Sequence, residues 1–199
     1  RLREQYGGAI DVVSMGPARA EKAVREAIAM GCDKGTLVSD RKFSGADTWS
    51  TSYVLSQAIR SMGAFDLIVA GERATDGDTG QVGPGIASWL DIPVATYVAC
   101  VPSVDTAAFG ATADVGVAIT VDRLIEEGYQ HVALRLPALL TVVKEIATPR
   151  LPTLQGKRRA RETEVTVLKR ESLEVTPAYL GLKGSPTKVV KIRTPKVTR

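Results

Sequence analysis

The sequence predicts an α/β chain: an open, mostly parallel sheet with flanking helices, an antiparallel extension and a C-terminal arm. Three observations predict it. Short apolar, strand-like runs alternate with helix-period segments from Ala9 to Leu90. Those strand-like runs end in polar or glycine-bearing turns that lead into the next helix, which gathers loops at the carboxyl ends of parallel strands. After Ile92-Pro93 the runs become short and are joined by tight polar connections, which suits antiparallel pairing. The 199 residues, 44% hydrophobic and 24% charged, are enough for one domain with a substantial core plus an appendage. No run of about eighteen apolar residues exists to span a membrane.

Taken in order, Arg1–Tyr6 reads as the end of a helix broken by Gly7-Gly8, and Ala9–Val13 as a strand. No signal sequence or initiating methionine is present. Ser14-Met15-Gly16-Pro17 turns into a helix with Ala20, Ala23, Val24, Ala27 and Ile28 at helical spacing, Pro17 suiting its first position and Gly31 its end. Thr36–Ser39 is a strand. The polar turn Asp40–Gly45 follows, then a helix from about Asp47 to Met62 closed by Gly63. Asp66–Ala70 carries the unbroken apolar run Leu67–Ala70, which predicts a strand buried on both faces. Behind it come the turn Asp76-Gly77-Asp78-Thr79-Gly80-Gln81 and a helix marked by Val82, Ile86, Trp89 and Leu90.

Val94–Val101, Val115–Val121 and Tyr129–Leu136 read as strands of the extension, and Leu136–Val143 is again β-like. Lys144–Gly156 loses regular pattern, and Lys157-Arg158-Arg159-Ala160-Arg161 forms a basic cluster. Val165–Leu168 is a short strand that opens a polar arm punctuated by proline and glycine. The arm is too poor in apolar residues for its own core, so disorder or a wrapping contact is expected. The division is 1–163 for the α/β domain and 164–199 for the arm.

The loops at Met15, Arg41 and Asp76 land on one edge of the predicted sheet, and this convergence points to a bound nucleotide. In the third loop, Gly77 and Gly80 let backbone approach a ligand, and the Thr79–Val82 amides at the positive end of a helix suit a phosphate. The acidic side chains fit sugar hydroxyls or a capping amide better than a phosphate. A purely structural reading is adequate for the loop alone, with Asp78 or Thr79 capping the helix. The stretch is neither a Walker loop nor a G-x-G-x-x-G fingerprint. Arg41 suits either a phosphate or plain solvation.

Charge separates the ends. From Lys144 onward there are 14 basic and 5 acidic side chains, against 12 and 17 upstream. Such a basic segment meets nucleic acid or an acidic protein partner; one aromatic and no binding module favour the protein partner. Cys32 and Cys100 lack metal-ligand spacing, which implies a reducing, cytoplasmic setting and inert thiols. The single histidine, His131, lies in a predicted strand and reads as an exposed strand residue rather than a catalyst. No catalytic or metal-binding residue is assigned.

As whole strings, several segments are more specific. GERATDGDTGQVGP followed by IASWLDIP resembles the nucleotide-binding segment of electron transfer flavoprotein beta subunits, whose fold is adenine nucleotide alpha hydrolase-like, or Rossmann-like. Its DGDTGQVGP form is similar to the branch associated with a second flavin, whereas the other branch carries a more acidic, Asn-containing loop and binds AMP. The resemblance implies nucleotide contacts at Gly71, Arg73, Ala74, Asp76, Gly77, Asp78, Thr79, Gly80, Gln81 and Val82, with Met15 and Gly16 added through the S-x-G-P turn. SDRKFSGADTWST resembles the family as well. LPALLTVVKEIATPRLPTLQGKRRA resembles its dehydrogenase-recognition loop, here 142–163, with Leu154 as apolar anchor and Arg150, Lys157 and Arg158 as a basic rim. The arm, with GLKGSPTKVVKI close to its end, resembles the segment that embraces the alpha subunit.

The implied cofactor is FAD, with AMP as alternative. The implied partners are the alpha subunit and an acyl-CoA dehydrogenase-type or other flavoprotein, with NADH as hydride donor if electrons are bifurcated. Because the family starts with a strand and a nucleotide-contacting loop upstream of Arg1, part of the site is expected to be missing. A non-redox adenine-nucleotide-binding regulatory module is the alternative function.

Overall fold

Glycines, caps and apolar spacing set the element boundaries in the computed structural model, which describes residues 1–74, 77–105 and 118–191. Helix α1 (Leu2–Tyr6) stops at Gly7, and β1 spans Asp11–Met15. Helix α2 (Glu21–Met30) is entered through a 3-10 turn, Ala18–Ala20, that Pro17 precedes as N-cap. Pro17 therefore stands before the helix rather than at its first position. The strand β2 (Lys34–Val38) passes so close beneath α2 that a Cβ at Gly35 would collide with Val24 and Ile28. Helix α3 (Thr48–Met62) begins where the Asp47 side chain accepts from the Ser50 amide at 3.0 Å. Then follow β3 (Leu67–Gly71), α4 (Val82–Leu90), β4 (Val94–Val104), β5 (Ile119–Ile125), β6 (Gly128–Leu134), β7 (Ala138–Val142), α5 (Leu154–Glu162), β8 (Val165–Leu168) and the single turn α6 (Gly181–Gly184).

Two sheets result. Strands β1, β2 and β8 are parallel in that order, and the other sheet runs β3-β7-β4-β5-β6. Its first three strands are parallel, and β4, β5 and β6 are antiparallel, which is the predicted extension. The sheets share a helical layer: Val13 of β1 and Ile68 of β3 both pack on the cluster formed by Ile59, Ile86, Ala87 and Leu139.

One expectation fails here. Strand β3 is not buried on both faces; among the described residues it pairs with β7 alone, and Val69 is 55% exposed. An apolar run of this length cannot distinguish a central strand from an edge, because the distinction depends on which distant segment comes to pair with it.

The segment beyond β8 packs back on the chain. Leu173 and Leu180 are buried with Val38, Phe43, Tyr53, Val54 and Ala58. Trp49, Tyr53, Trp89 and Tyr179 form a four-ring cluster, with Tyr53 and Trp89 edge-on at 4.9 Å. The Tyr53 hydroxyl accepts from the Thr176 amide, and the Ser50 hydroxyl donates to the Tyr179 carbonyl, each at 2.8 Å. At the end of this contact Asp47 Oδ2 accepts from the amide and hydroxyl of Thr187, at 2.9 and 2.7 Å. Asp47 thus caps α3 and fastens the arm with one side chain. Asp47→Ala is expected to cost about 1–3 kcal/mol, the sum of a lost cap and a broken hydrogen-bond cluster. A lower urea midpoint together with faster proteolytic cleavage after Glu174 would show both effects.

Three aspartates give this framework a defined acid response. The Ile10 amide, working against partial burial and helped by Arg3, holds the Asp33 carboxyl below its ordinary range. The Lys42 amide, also against burial and helped by the Arg170 amide, does the same for Asp40. At Asp47 burial pushes upward, but hydrogen bonds from Ser50, Thr187 and Ser185 outweigh it and leave the carboxyl lowered. A folded-state value below the unfolded one, about 3.9, means that the unfolded chain binds protons first. Stability from these groups is complete above that value and is lost as pH falls through the folded values. Urea midpoints are expected to be flat from about pH 7 to 5 and to decline below about pH 4.

Candidate functional site

The carboxyl ends of β3 and β7 form one edge, with Gly71 in register with Val142 and Val142 with Val98 in the middle of β4. Past this edge the Glu72 amide still donates to the Val142 carbonyl at 3.1 Å, and the chain then leaves the sheet as an exposed loop. The loop closes where the Asp78 amide donates to the Ala74 carbonyl at 2.8 Å, with Asp78 at φ 48 and Gly80 at φ 63. Helix α4 follows directly. Its N-cap is Gln81, whose side chain makes no capping bond and accepts instead from Thr48 Oγ1 at 2.8 Å. Neither Asp78 nor Thr79 caps the helix, so that structural alternative does not describe the loop.

Two close contacts set where α4 begins. A Cβ at Gly83 would run into the methyl of Thr141 on β7, and one at Gly85 would come within 2.6 Å of the Ser52 hydroxyl on α3. The amides of Thr79, Gly80 and Gln81 donate to no other described residue. The result is an exposed turn at the sheet's carboxyl edge, ahead of a helix N-terminus, with backbone donors on offer. These features fit the phosphate of an adenylate.

Arg73 meets the difficulty of acidic side chains beside such an anion. Its guanidinium lies 3.2 Å from Asp78 and 3.6 Å from Glu72, so one cation faces both carboxylates. Gly71, Arg73, Ala74, Gly77, Asp78, Thr79, Gly80, Gln81 and Val82 are brought together in this loop. Thr75 and Asp76 lie outside the described residues. Met15 ends β1 and Gly16 follows it; the Met15 side chain packs toward the cluster of Val38, Phe43 and Tyr53, and the Gly16 amide donates to the Val38 carbonyl at 3.0 Å, so neither is brought to the β3–α4 loop. Arg41 is exposed in a 3-10 turn with no ion pair to a described residue.

Sequence reading does not single out Tyr97, whose backbone is unusual. In β4 the register with β7 shifts between Ala95 and Val98, and inside that irregularity Tyr97 takes φ 57. Its hydroxyl would lie 3.4 Å from a Cβ on Gly80. A bulge is a property of pairing, so nothing local in PVATYVAC marks it.

The second surface is built on α5. Thr153 caps this helix, its hydroxyl accepting from the Gly156 amide at 3.0 Å, so 154–162 is helical where sequence showed only patternless and basic stretches. A Cβ at Gly156 would clash with the Ala29 carbonyl of α2. Arg159 donates to the Ile28 and Cys32 carbonyls, at 2.8 and 3.0 Å, and so satisfies the end of α2. On this fixed base Leu154 is 87% exposed and Leu151 88%. Arg150 pairs with Glu4 at 2.6 Å and holds its carboxyl below the ordinary range; Arg158 pairs with Glu162 at 2.9 Å; Lys157 is exposed. A groove of about 540 Å³ runs between this helix and the end of α2, bordered by Met30, Arg150, Leu151 and Arg158.

His131 is exposed on β6 and lies 2.5 Å from Asp122, away from the loop's strands. Burial pushes the Cys32 thiol upward, while Cys100 is exposed. Among the described residues no group of His, Cys, Asp and Glu could hold a metal ion, and no helix is long and apolar enough to cross a membrane.

The electron transfer flavoprotein domain family matches residues 1–173. Electron transfer flavoprotein subunit beta of Thermoanaerobacterium thermosaccharolyticum is 46% identical over 200 residues, covering all of this chain and 72% of that protein. Protein FixA of Azotobacter vinelandii is 42% identical, covering 98% of this chain and 68% of its own length. The caffeyl-CoA reductase-Etf complex subunit CarD of Acetobacterium woodii is 40% identical, covering 96% and 69%. With a domain match across most of its length and relatives this similar along the whole of it, the chain belongs to the electron transfer flavoprotein beta-subunit family.

Proposed function

We propose that this chain binds FAD at the turn between β3 and α4 and works as one subunit of a heterodimeric electron carrier between NADH or a dehydrogenase and an acceptor flavoprotein. The observation that carries the nucleotide is the set of Thr79–Gln81 amides, unengaged by described residues, at the carboxyl edge of parallel strands. The DGDTGQVGP string favours FAD over AMP. When bound, a flavin accepts a hydride and passes electrons singly; the chain's own residues bind, orient and tune it. The loop amides and the helix dipole favour the phosphates. Arg73 moderates the charge of Asp78 and Glu72, and Gly80 lets backbone come close.

For the partners, the arm from Glu164 onward is proposed to continue against the alpha subunit. The exposed Leu154, with Arg150, Lys157 and Arg158 around it, is proposed to dock an acidic acyl-CoA dehydrogenase-type flavoprotein. This is one apolar anchor inside a charged rim, the rim serving mainly to raise the association rate. A free, exposed Cys100 suits a reducing compartment such as the cytoplasm. The test of the nucleotide is to denature the purified heterodimer and count what it releases. Two FAD per heterodimer support the proposal, one FAD with one AMP places AMP at the loop, and one FAD with no other adenylate refutes a nucleotide there.

A further inference from the structure

We propose that Tyr97 is a nucleotide-contacting residue whose phenol hydroxyl donates a hydrogen bond to the phosphate held at the β3–α4 turn; this rests on the nucleotide reading of that turn. Three observations converge on it. First, Tyr97 is a bulky residue at φ 57, a left-handed conformation that side chains of this size rarely adopt and that persists where the surroundings impose it. Second, the surroundings do impose it. The register of β4 against β7 breaks around this residue, and the Tyr97 amide is held at 3.1 Å by the hydroxyl of Thr141, a side chain only 1% exposed. Irregularities of this kind re-aim a side chain, and here they aim it off the sheet toward the loop.

Third, the target is specific. Among the described residues a Cβ on Gly80 would have two near neighbours, the Tyr97 hydroxyl at 3.4 Å and the Glu72 carbonyl at 3.5 Å, so the hydroxyl sits over the loop's central glycine. That hydroxyl makes no hydrogen bond to a described residue, and the residue is 38% exposed, open to solvent or ligand. Thr141 ties the arrangement together: its hydroxyl holds Tyr97, and its methyl is the contact on which Gly83 seats α4. One buried side chain thus fixes both the phenol and the helix N-terminus. A neutral donor beside backbone amides extends the same anion-binding set.

The experiment uses the full-length heterodimer, stripped of the nucleotide on this chain but retaining its partner's flavin, titrated separately with AMP and with FAD. Tyr97→Phe keeps the ring and removes only the hydroxyl, and affinity for both probes is expected to fall about ten-fold, as for loss of a hydrogen bond to a charged group. Tyr97→Gly adopts the left-handed conformation freely, so the nucleotide-free thermal midpoint is expected to hold while affinity falls further. Unchanged affinity in both variants would overturn the proposal while leaving the loop reading intact. If the unmutated heterodimer takes up neither probe on this chain, the loop reading itself fails and the role of Tyr97 falls with it.

Discussion

Replacing Gly80 by valine is expected to remove the proposed nucleotide from this chain, lowering affinity by about 100-fold or more, while the flavin proposed for the partner subunit stays. The reasons are local and additive. Gly80 sits at φ 63, where a β-branched residue is strained by more than the roughly 1–2 kcal/mol that left-handed backbone costs an ordinary L-residue. Its Cβ would already be in contact with the Tyr97 hydroxyl at 3.4 Å and the Glu72 carbonyl at 3.5 Å, so two further methyls add crowding to the backbone strain. The loop relieves that strain by turning its amides, and those amides are the proposed donors. Gly80→Ala separates the two effects, since it carries the backbone strain without the extra methyls and should fall between. Asp78→Ala should weaken retention less, because an exposed pair with Arg73 contributes only about 0–1 kcal/mol. Adenine nucleotide released per chain, measured beside flavin content, checks all three.

Leu154→Ala is expected to raise the KM for the proposed partner dehydrogenase about 30-fold, the effect of removing the proposed hot-spot anchor, with nucleotide content untouched. At 87% exposure the leucine contributes little to folding, so the change in stability should stay within about 0.5 kcal/mol. That separation makes the variant informative: a defect in electron delivery cannot then be traced to an unfolded chain. The basic rim should behave differently, with Lys157→Glu slowing association mainly at low ionic strength. Turnover with the partner unchanged in Leu154→Ala would remove α5 from the docking surface.

Much of this is legible in the sequence. Apolar spacing with Gly31 and Gly63 located α2 and α3, and Asp47 marked the start of α3 because short polar side chains cap helices. The glycine-rich turn before Val82 was equally plain, since its residue types are few and their backbone preferences strong. What stayed hidden depends on segments far apart in sequence. Whether β3 is central or an edge depends on β7, some seventy residues later, which the run Leu67–Ala70 cannot encode. Helix α5 was obscured by Pro152 and Gly156, although Gly156 is there because the Ala29 carbonyl of α2 leaves no space for a side chain. Asp78 looked like a cap, yet α4 starts later because Gly83 must seat on Thr141. Tyr97 looked like an ordinary strand residue, and only the shifted pairing with β7 turns it toward the loop.

The most direct measurement is the nucleotide inventory of the purified heterodimer, denatured and resolved by chromatography, for unmutated protein and Gly80→Val side by side. The account predicts two FAD from the former and one from the latter. One FAD from each, with no AMP in either, would contradict it.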